Sequence, residues 1–371
     1  MDMEKTLLLL NQQIAYARRS CSFYTALPET PLTDLRQLSG FPMVTAEDLS
    51  LRGADMLCCH PSKVRRMVTL ATSGTTGPHK RLAFTEGDLE KTIDFFHHGM
   101  RALCGSGDAV AIFMPGNAPD GLCSLLSEGL RRFGAVPYVY GAISDFHDAA
   151  RFCREICPQV LIGIPAQMRR LALTDRSLRP DIVLLSADYI AAPLEDTVAR
   201  CWQCQVYVHY GLTESGLGCA VETPRRRAME VRPDVLLETL SSGEIILTTL
   251  EREAMPLIRY RTGDLGLLRP DGCLDAVFGR IAELDKPVPI YWLDELLFGL
   301  DDVRDFSARF GEGVLEVSVV GETARAARRL NSAFPAYEVR TIPVFALECQ
   351  GSAKRGVALL PPTAIRRCTP P

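Results

Sequence analysis

The sequence predicts an α/β protein with a large N-terminal domain, residues 1–280, and a small α+β domain, residues 281–371. Two patterns lead to this prediction. From about residue 108 to 210, short apolar runs alternate with helical patterns, which is typical of a largely parallel sheet with helices on both faces. After about residue 220, the pattern becomes β-rich and more antiparallel, which predicts a subdomain of different character.

The individual elements follow from apolar runs that end at Gly, Pro and Asp residues. Strands of the parallel part are predicted at residues 110–114, 136–140, 160–164, 181–186 and 206–210, and helices at 121–133, 145–157, 166–173 and 192–202. Strands of the β-rich part are predicted at 243–250 and around 259–266. The charged stretch IAELDKP, residues 281–287, is interpreted as a connection. A helix around 293–300, a strand at 314–320, a helix at 324–334 and a strand at 338–347 then form the small domain.

The composition argues against several classes of partner. The chain is 47% hydrophobic and 23% charged, with a net charge of −4, so neither nucleic acid nor an anionic membrane is expected as main partner. The start, MDMEKTLLLLNQQ, carries Asp2 and Glu4 and lacks the basic start and longer apolar core of a signal peptide. No run approaches the ~18 apolar residues of a membrane span. We therefore expect a cytoplasmic protein.

The 13 cysteines are scattered, which favours free thiols in a chain without a signal peptide. Cys201 and Cys204 form a CxxC that could be redox-active or half of a zinc site, but no second pair lies at finger spacing. Buried thiols at a helix end are the favoured interpretation. For Cys58-Cys59-His60, a packed loop is favoured over a metal site, and metal binding stays open for both clusters.

Residues 72–77, TSGTTG, have little side-chain bulk and four hydroxyls, and Lys80 follows closely. Backbone N–H groups in such a stretch can form a concave nest for an anion, which favours phosphate binding. The stretch differs from GxxxxGK[ST], because Arg81 follows Lys80. The alternative is a surface loop before a helix that starts at Thr85.

Four further motifs follow in order: YGLTES at 210–215, RTGDLG at 261–266, FGR at 278–280 and GSAKRG at 351–356. With these motifs, the sequence resembles the adenylate-forming superfamily of acyl-CoA synthetases over about residues 12–360. The branch it resembles contains phenylacetate–CoA ligase and the acyl-protein synthetases of bioluminescence. The resemblance implies a large adenylate-forming domain and a small C-terminal domain that moves as a lid.

The resemblance also implies a reaction and its participants. A small carboxylic acid attacks the α-phosphate of ATP, giving an acyl-adenylate and pyrophosphate, and a thiol then displaces AMP. The implied cofactors are ATP/AMP, Mg²⁺ and CoA. Among the residues implied to be catalytic, Lys80 helps to hold phosphates, Thr213 contacts the α-phosphate, Glu214 ligates Mg²⁺, and Lys354 swings in to neutralise charge between the carboxylate and the α-phosphate.

The nucleotide is implied to contact several further groups. Asp264 accepts hydrogen bonds from the ribose hydroxyls, and Arg280 supports the ribose and phosphates. The residues implied to bind nucleotide are Thr72, Ser73, Gly74, Thr75, Thr76 and Gly77 at the β- and γ-phosphates, and Ser186, Ala187, Asp188, Tyr210 and Gly211 at the adenine. Taken singly, Asp264 could be a turn residue, Glu214 a helix cap and Arg280 a surface residue; their joint spacing favours the site. A packed or solvated role is favoured for His209, His97 and His98.

Three points stay open. The acceptor could be CoA or a protein thiol, and a nucleotide sensor without catalysis is a third possibility. Ala282 stands where the superfamily has a hinge Asp or Lys, which bears on thiol access. The acyl pocket is expected beside residues 137–141 and 114–121, with Tyr138, Tyr140 and Phe113 as candidate lining or as plain core. The acid and the oligomeric state are not specified by the sequence.

Overall fold

The computed structural model describes residues 3–70, 79–345, 347 and 355–360. The α-helices of these ranges are α1 Met3–Ser20, α2 Ala46–Arg52, α3 Glu86–Arg101, α4 Leu122–Arg131, α5 Phe146–Ile156, α6 Pro165–Thr174, α7 Ala192–Trp202, α8 Ile281–Leu284, α9 Ile290–Leu297 and α10 Thr323–Ala333. Short 3₁₀ helices span Ser22–Tyr24, Leu35–Gly40, Gly53–Met56, Pro61–Lys63 and Thr213–Ser215. None of the helices described is long and apolar enough to cross a membrane.

The strands fall into a hairpin, a large sheet and a small sheet. In chain order they are β1 Arg66–Leu70, β2 Lys80–Phe84, β3 Ala109–Phe113, β4 Val136–Val139, β5 Val160–Gly163, β6 Ile182–Leu185, β7 Gln205–Tyr210, β8 Ala220–Thr223, β9 Arg226–Val231, β10 Val235–Thr239, β11 Glu244–Thr249, β12 Tyr260–Leu268, β13 Leu274–Arg280, β14 Val303–Gly311, β15 Val314–Gly321, β16 Glu338–Pro343 and β17 Val357–Leu359. The hairpin β1–β2 is antiparallel.

Strands β4, β3, β5, β6 and β7 lie side by side in that order and are all parallel, which confirms the predicted parallel sheet. Successive side chains of a strand point to opposite faces, so a strand buried on both faces serves two cores. In β3, Val110 and Ile112 pack into one hydrophobic core, and Ala111 and Phe113 pack into the other. This is why the strand reads as a continuous apolar run.

The large sheet changes direction at β7. One neighbour of β7 is the parallel strand β6, and the other is the antiparallel strand β8. Beyond β8, strands β9, β13, β12, β11 and β10 continue the sheet with antiparallel pairing, so the predicted β-rich region is confirmed. The carboxyl end of β7 therefore lies where the parallel and antiparallel parts of the sheet meet.

Helix α3 begins where a capping box is formed. The Thr85 hydroxyl accepts from the Asp88 amide at 3.1 Å, and the Asp88 carboxylate accepts from the Thr85 amide at 3.0 Å, which confirms the helix start at this point. The same carboxylate accepts from the amides of Glu253 and Ala254, at 2.8 and 3.0 Å. The cap thus ties α3 to the antiparallel part of the chain.

The small sheet has the order β16-β15-β14-β17 in the part of the chain that the structure describes, with β14–β15 antiparallel and the outer pairs parallel. Strand β14 is absent from the sequence-based prediction. Its pairing shifts register between Val303 and Asp305, so its apolar residues do not keep a strict period of two.

Two other elements of this region differ from the prediction. Residues 281–287, expected to be a connection, contain the one-turn helix α8. The last predicted strand, expected at residues 338–347, is shorter and spans Glu338–Pro343.

One hydrophobic core spans the predicted boundary at residue 280. Met168 and Leu171 of α6 and Trp202 of α7 belong to the same buried cluster as Leu297 and Phe298 at the end of α9. The side chains on the two sides of the boundary therefore pack as one continuous core in this arrangement. The division into residues 1–280 and 281–371 stays a prediction.

Arg169 of α6 is fully buried in this core and joins the two sides of the boundary. Its guanidinium donates to the carbonyl oxygens of Val303, Phe298 and Leu300, at 2.8, 3.0 and 3.0 Å. It also lies 4.7 Å from the ring centroid of Phe298. Burial lowers the pKa of Arg169 to about 10, which still leaves the side chain charged at neutral pH.

We expect Arg169→Met to lower the free energy of unfolding by at least about 2 kcal/mol, because buried carbonyl groups lose their donor. Urea unfolding at neutral pH measures the effect. The matched control is Arg200→Met: Arg200 pairs with Asp301 at 2.6 Å, but both side chains are largely exposed. We expect the control to change stability by less than about 0.5 kcal/mol. Equal losses in the two variants would contradict a special role for Arg169.

Candidate active site

Two adjoining cavities open at the carboxyl ends of β5, β6 and β7, where α/β sheets bind ligands. The first has a volume of about 630 Å³ and the second about 500 Å³. Four residues line both cavities and mark the boundary between them: Ala187, His209, Gly211 and Arg280. The cavities therefore form one divided site.

A buried ion pair lies at the polar end of the first cavity. Glu214 is in the 3₁₀ helix that follows β7, and its Oε1 accepts from Lys80 Nζ at 2.7 Å. The hydroxyl of Tyr260, at the start of β12, donates to the same oxygen at 2.9 Å. Three distant segments, β2, the end of β7 and β12, thus meet at a single carboxylate.

The charge of Glu214 is stabilised by these partners. Burial alone raises the pKa of a carboxyl group, since it disfavours the charged form. At Glu214, the positive charge of Lys80 and the hydrogen bonds from Lys80 and Tyr260 outweigh burial and lower the pKa below its usual value. The carboxylate is therefore ionised at neutral pH although only 7% of the residue is exposed.

A second carboxylate, Asp264 in β12, lies in the second cavity. Its Oδ2 accepts from the Tyr210 hydroxyl at 2.8 Å, and its Oδ1 lies 3.1 Å from Arg280 Nε. Asp264 and Arg280 are directly opposed in the β12–β13 pairing. Burial and the nearby Asp264 charge raise the pKa of Tyr210, so this hydroxyl remains a donor.

The turn Ser186-Ala187-Asp188 follows β6 and lies between the cavities. Ala187 has φ of 78°, in the left-handed region that residues with a side chain rarely adopt. Ser186 Oγ is 2.7 Å from His209 Nδ1, which fixes the turn against β7. Opposite the turn, a Cβ on Gly211 would clash with the backbone of Leu217, so this close approach requires glycine.

The structure brings together all the predicted site residues that it describes. Lining the first cavity are Lys80, Ser186, Ala187, Gly211, Thr213, Glu214 and Arg280, and lining the second are Ala187, Asp188, Tyr210, Gly211, Asp264 and Arg280. The loop residues Thr72, Ser73, Gly74, Thr75, Thr76 and Gly77 lie outside the described residues, as does Lys354. The role of each residue stays a prediction.

The far end of the first cavity is apolar. Its lining comes from α3 and α4 and from the sheet below them: Phe95, Phe96, Met100, Met114, Pro115, Leu122, Leu126, Ile162, Leu184 and Val221. Met114 and Pro115 belong to the expected segment 114–121, but Phe113, Tyr138 and Tyr140 do not line this cavity. Phe113 faces the other side of β3, Tyr138 is partly exposed on β4, and the Tyr140 hydroxyl donates to Asp148 at 2.8 Å. The core alternative therefore holds for Phe113.

Sequence reasoning missed Tyr260, whereas His209 takes the packed role that was one of its favoured alternatives. Tyr260 directly precedes the RTGDLG motif and lies four residues before Asp264. In a β-strand, side chains separated by an even number of residues lie on the same face, so this spacing could have identified Tyr260 as a site residue. His209 is packed against Phe95 and Phe96, at ring distances of 5.8 and 6.4 Å, as the packed alternative expects. Burial, with a smaller effect of the Arg232 charge, lowers the pKa of His209 to about 4, so the ring is neutral at pH 7.

No cysteine that the structure describes lines either cavity. The described cysteines form no disulfide, and no group of three or more His, Cys, Asp or Glu side chains in the described ranges is arranged to hold a metal ion. Burial raises the pKa of Cys204 to about 11, which disfavours the reactive thiolate. Cys201 and Cys204 thus flank the end of α7 as separate thiols.

No profile of a known protein family matches the chain. The chain is 26% identical over 322 residues to a phenylacetate–coenzyme A ligase of Pseudomonas putida, covering 78% of this chain and 69% of that protein. It is 27% identical over 281 residues to the phenylacetate–coenzyme A ligase of Escherichia coli (strain K12), covering 67% of this chain and 62% of that protein. The chain thus spans under two thirds of the second relative.

Solved structures show the same fold. A 2-hydroxyisobutyryl-CoA ligase in the postadenylation state, in complex with 2-HIB-AMP, matches with a TM-score of 0.80 and 16% identity, over 96% of this chain and 89% of that chain. A benzoate CoA ligase from Burkholderia xenovorans LB400 matches with a TM-score of 0.55 and 16% identity, over 75% and 65% of the two chains. The expected resemblance to CoA ligases of the adenylate-forming superfamily, and the fold it implies, are confirmed.

We expect Lys80→Met to destabilise the protein by about 3 kcal/mol near neutral pH, because Glu214 then carries a buried charge without its cation. In the parent, the lowered pKa of Glu214 gives stability that is present above its unfolded value and is lost as the pH falls through the folded value. In Lys80→Met, burial instead raises the pKa of Glu214, so the damage grows as the pH rises.

Urea unfolding of the parent and Lys80→Met at about pH 5.5 and about pH 8 measures this difference. The control is Lys80→Met combined with Glu214→Gln, which removes the unpaired charge and should regain most of the loss at the higher pH. A loss in Lys80→Met that is the same at both pH values would contradict the buried-charge explanation.

Proposed function

We propose that this chain is an AMP-forming acid–CoA ligase, which activates a small carboxylic acid with ATP and Mg²⁺ and transfers the acyl group to the thiol of CoA. One observation carries the proposal: the buried Glu214–Lys80–Tyr260 cluster and the Asp264–Arg280 pair face the two adjoining cavities, and the rest of the first cavity is apolar. The similarity to phenylacetate–coenzyme A ligases supports the same reaction class.

In the first half-reaction, a carboxylate oxygen of the acid forms a bond to the α-phosphorus of ATP. The bond from that phosphorus to the bridging oxygen breaks, and pyrophosphate leaves with its electron pair. The protein forms no covalent bond, so its contribution is to position the reactants and stabilise negative charge. Lys80, Thr213 and Arg280 supply donors and positive charge at the polar end of the first cavity.

The residues present fit a magnesium ion that is bound together with nucleotide. Glu214 is the only carboxylate among the described residues that line the first cavity, and both of its side-chain hydrogen bonds described here end on Oε1. Mg²⁺ is usually held by one or two carboxylates plus substrate phosphates rather than by a full protein cage. Glu214 would hold the ion, which neutralises phosphate charge when bound.

The second cavity suits the nucleoside. Asp264 already accepts from Tyr210 and pairs with Arg280, but an ionised carboxylate has about four acceptor positions and can also receive the vicinal ribose hydroxyls. Ala187 and Gly211, which border both cavities, offer a flat wall for adenine beside the strained turn.

In the second half-reaction, the thiolate sulfur of CoA bonds to the acyl carbon, and the bond from that carbon to the AMP oxygen breaks. AMP leaves with the electron pair. The small domain, residues 281–371, rotates about the connection near Ala282 to admit the thiol, a hinge movement that also withdraws Lys354. A protein thiol as acceptor is the competing possibility, and the cytoplasmic location inferred from the sequence stays a prediction.

The acid has an uncharged, mainly apolar body. Charged side chains in the lining of the first cavity, among the residues described, are confined to Lys80, Glu214 and Arg280 at the polar end. A second charge on the substrate would be buried in the apolar part without a partner, which is costly. Aryl and short alkyl monocarboxylates fit this description.

The test is pyrophosphate release from ATP over a panel of acids, with phenylacetate, benzoate, hexanoate and 2-hydroxyisobutyrate, each with and without CoA. We expect release to require an acid and CoA to raise turnover. Glu214→Gln keeps the shape and removes the charge, and we expect it to lose at least about 90% of the rate, because a hydrogen bond to a charged group is worth about 1.5–3 kcal/mol. Pyrophosphate release that is equal in the absence of acid, or unchanged in Glu214→Gln, would contradict the proposal.

We also expect the parent to bind ATP more tightly than 2′-deoxy-ATP, because Asp264 loses one of its two ribose partners. A hydrogen bond to a charged group is worth about 1.5–3 kcal/mol, so the preference should be roughly tenfold or more. Asp264→Asn keeps the shape but weakens the preference. Calorimetric titration of both nucleotides measures it, and equal affinities in the parent would remove Asp264 from the ribose site.

A further inference from the structure

Arg232 holds the turn that carries Glu214. The turn begins with the 3₁₀ helix Thr213–Ser215 and joins β7 to β8. Arg232 directly follows β9, and its Nη1 donates to the carbonyl oxygens of Ser215 and Gly218, at 3.2 and 3.1 Å. Arg232 itself lines neither cavity, so it contacts the site from behind the turn.

The backbone of this turn needs such contacts. Gly216 has φ of 87° and Leu217 has φ of 73°, so two consecutive residues lie in the left-handed region. That region is unfavourable for leucine by roughly 1–2 kcal/mol, and such residues persist only where the surroundings hold them. The Thr92 hydroxyl donates to the Gly216 carbonyl oxygen at 2.9 Å and adds a third contact to the two from Arg232. The shape of the turn therefore depends on donors from other elements.

The guanidinium of Arg232 is held in one orientation. Its Nε and Nη2 donate to the two carboxylate oxygens of Asp234, at 2.6 and 2.7 Å, and its Cζ lies 5.2 Å from the ring centroid of Phe95. The side chain is completely buried. A bidentate carboxylate pair and an aromatic ring fix a planar guanidinium, so Nη1 stays directed at the turn.

Phe95 connects this arrangement to the apolar end of the first cavity, which it lines. A Cβ on Gly218 would come within 2.3 Å of Phe95 Cε1, so the end of the turn packs directly against the ring. The turn that carries Glu214 and the wall that faces the acid therefore share one support, the Arg232 side chain.

We infer that Arg232 is a positioning residue, which holds this turn so that the Glu214 carboxylate can take the Mg²⁺ bound with ATP. The inference rests on the proposed function. Lys80 and Tyr260 contact Glu214 Oε1, whereas Arg232 contacts the backbone of the turn from which the Glu214 side chain extends. Groups that orient a metal ligand without touching the metal typically change metal affinity by roughly 10–100-fold when they are replaced.

Arg169 offers a matched control for Arg232. It is also buried, its guanidinium donates to backbone carbonyl groups, and it lies over a phenylalanine ring, that of Phe298. It lines neither cavity. Lysine keeps the charge of arginine but loses the planar fork of donors. We therefore expect Arg232→Lys and Arg169→Lys both to lower stability, and only Arg232→Lys to change the metal site.

The test measures how much Mg²⁺ tightens the binding of ATP. Calorimetric titration with ATP is done with Mg²⁺ and with excess chelator, so the gain in affinity from the metal is obtained without turnover. We expect Arg232→Lys to reduce this gain roughly tenfold, and to raise by a similar factor the Mg²⁺ concentration for half-maximal pyrophosphate release with the fastest panel acid. ATP affinity in chelator should stay within about twofold, and Arg169→Lys should leave all three values within about twofold.

Two further variants separate positioning from a general loss of structure. If Arg232 acts through Glu214, Arg232→Lys causes no further loss of the metal-dependent gain in the Glu214→Gln background. If urea titration shows that Arg232→Lys does not fold, Asp234→Asn takes its place. This variant loosens the same guanidinium, and we expect it to change the same values in the same direction.

The inference is overturned if Arg169→Lys matches Arg232→Lys, or if a folded Arg232 or Asp234 variant keeps the metal-dependent gain of the parent. It is also overturned if ATP binding in chelator weakens as much as binding with Mg²⁺, or if the loss persists in the Glu214→Gln background. A parent chain that gains no ATP affinity from Mg²⁺ and releases no pyrophosphate with any acid contradicts the proposed function itself, and the inference with it.

Discussion

The charge on Glu214 is the constraint around which the site is arranged. A carboxylate that is 7% exposed is unfavourable unless a cation and hydrogen-bond donors face it, and Lys80 and Tyr260 meet that requirement. These partners come from the hairpin strand β2 and from β12, while Glu214 itself follows β7. The three segments must be assembled correctly for the carboxylate to stay ionised, so the geometry of the site depends on the packing of the β1–β2 hairpin against the large sheet.

Two arginines contribute to the packing of residues 281–371 against the rest of the chain: Arg169 is fully buried, and Arg355 has 17% of its side chain exposed. Arg169 of α6 donates hydrogen bonds to backbone carbonyl groups that follow α9 and begin β14, and it lies over the ring of Phe298. The Arg355 guanidinium lies over the rings of Phe298 and Phe306. Arg169 crosses the predicted boundary, whereas the side chain of Arg355 stays within the small domain. The rotation of residues 281–371 that we propose would have to break the Arg169 hydrogen bonds and the contact between Asp188 and the Arg355 amide.

Much of the fold was predictable because its signals are local. The parallel strands from 110 to 210 are buried on both faces and end at Gly, Pro or Asp, so each run and its boundaries are readable. Strand β14 was missed because its bulge breaks the alternation of apolar residues. The polar half of the site was predicted by resemblance, through motifs that the fold brings together. Tyr260 and the apolar lining from α3 and α4 depend on contacts between distant segments, which no short motif records.

The central claim is that the chain activates an acid through an acyl-adenylate, and oxygen transfer from the acid tests it most directly. The acid with the fastest pyrophosphate release is prepared with oxygen-18 in its carboxylate, and AMP is analysed by mass spectrometry after turnover with CoA. The attacking carboxylate oxygen stays on phosphorus when the thiol breaks the carbon–oxygen bond. Our account predicts one heavy oxygen in AMP, formed together with unlabelled pyrophosphate. AMP without label, or label in inorganic phosphate formed together with ADP, would contradict it.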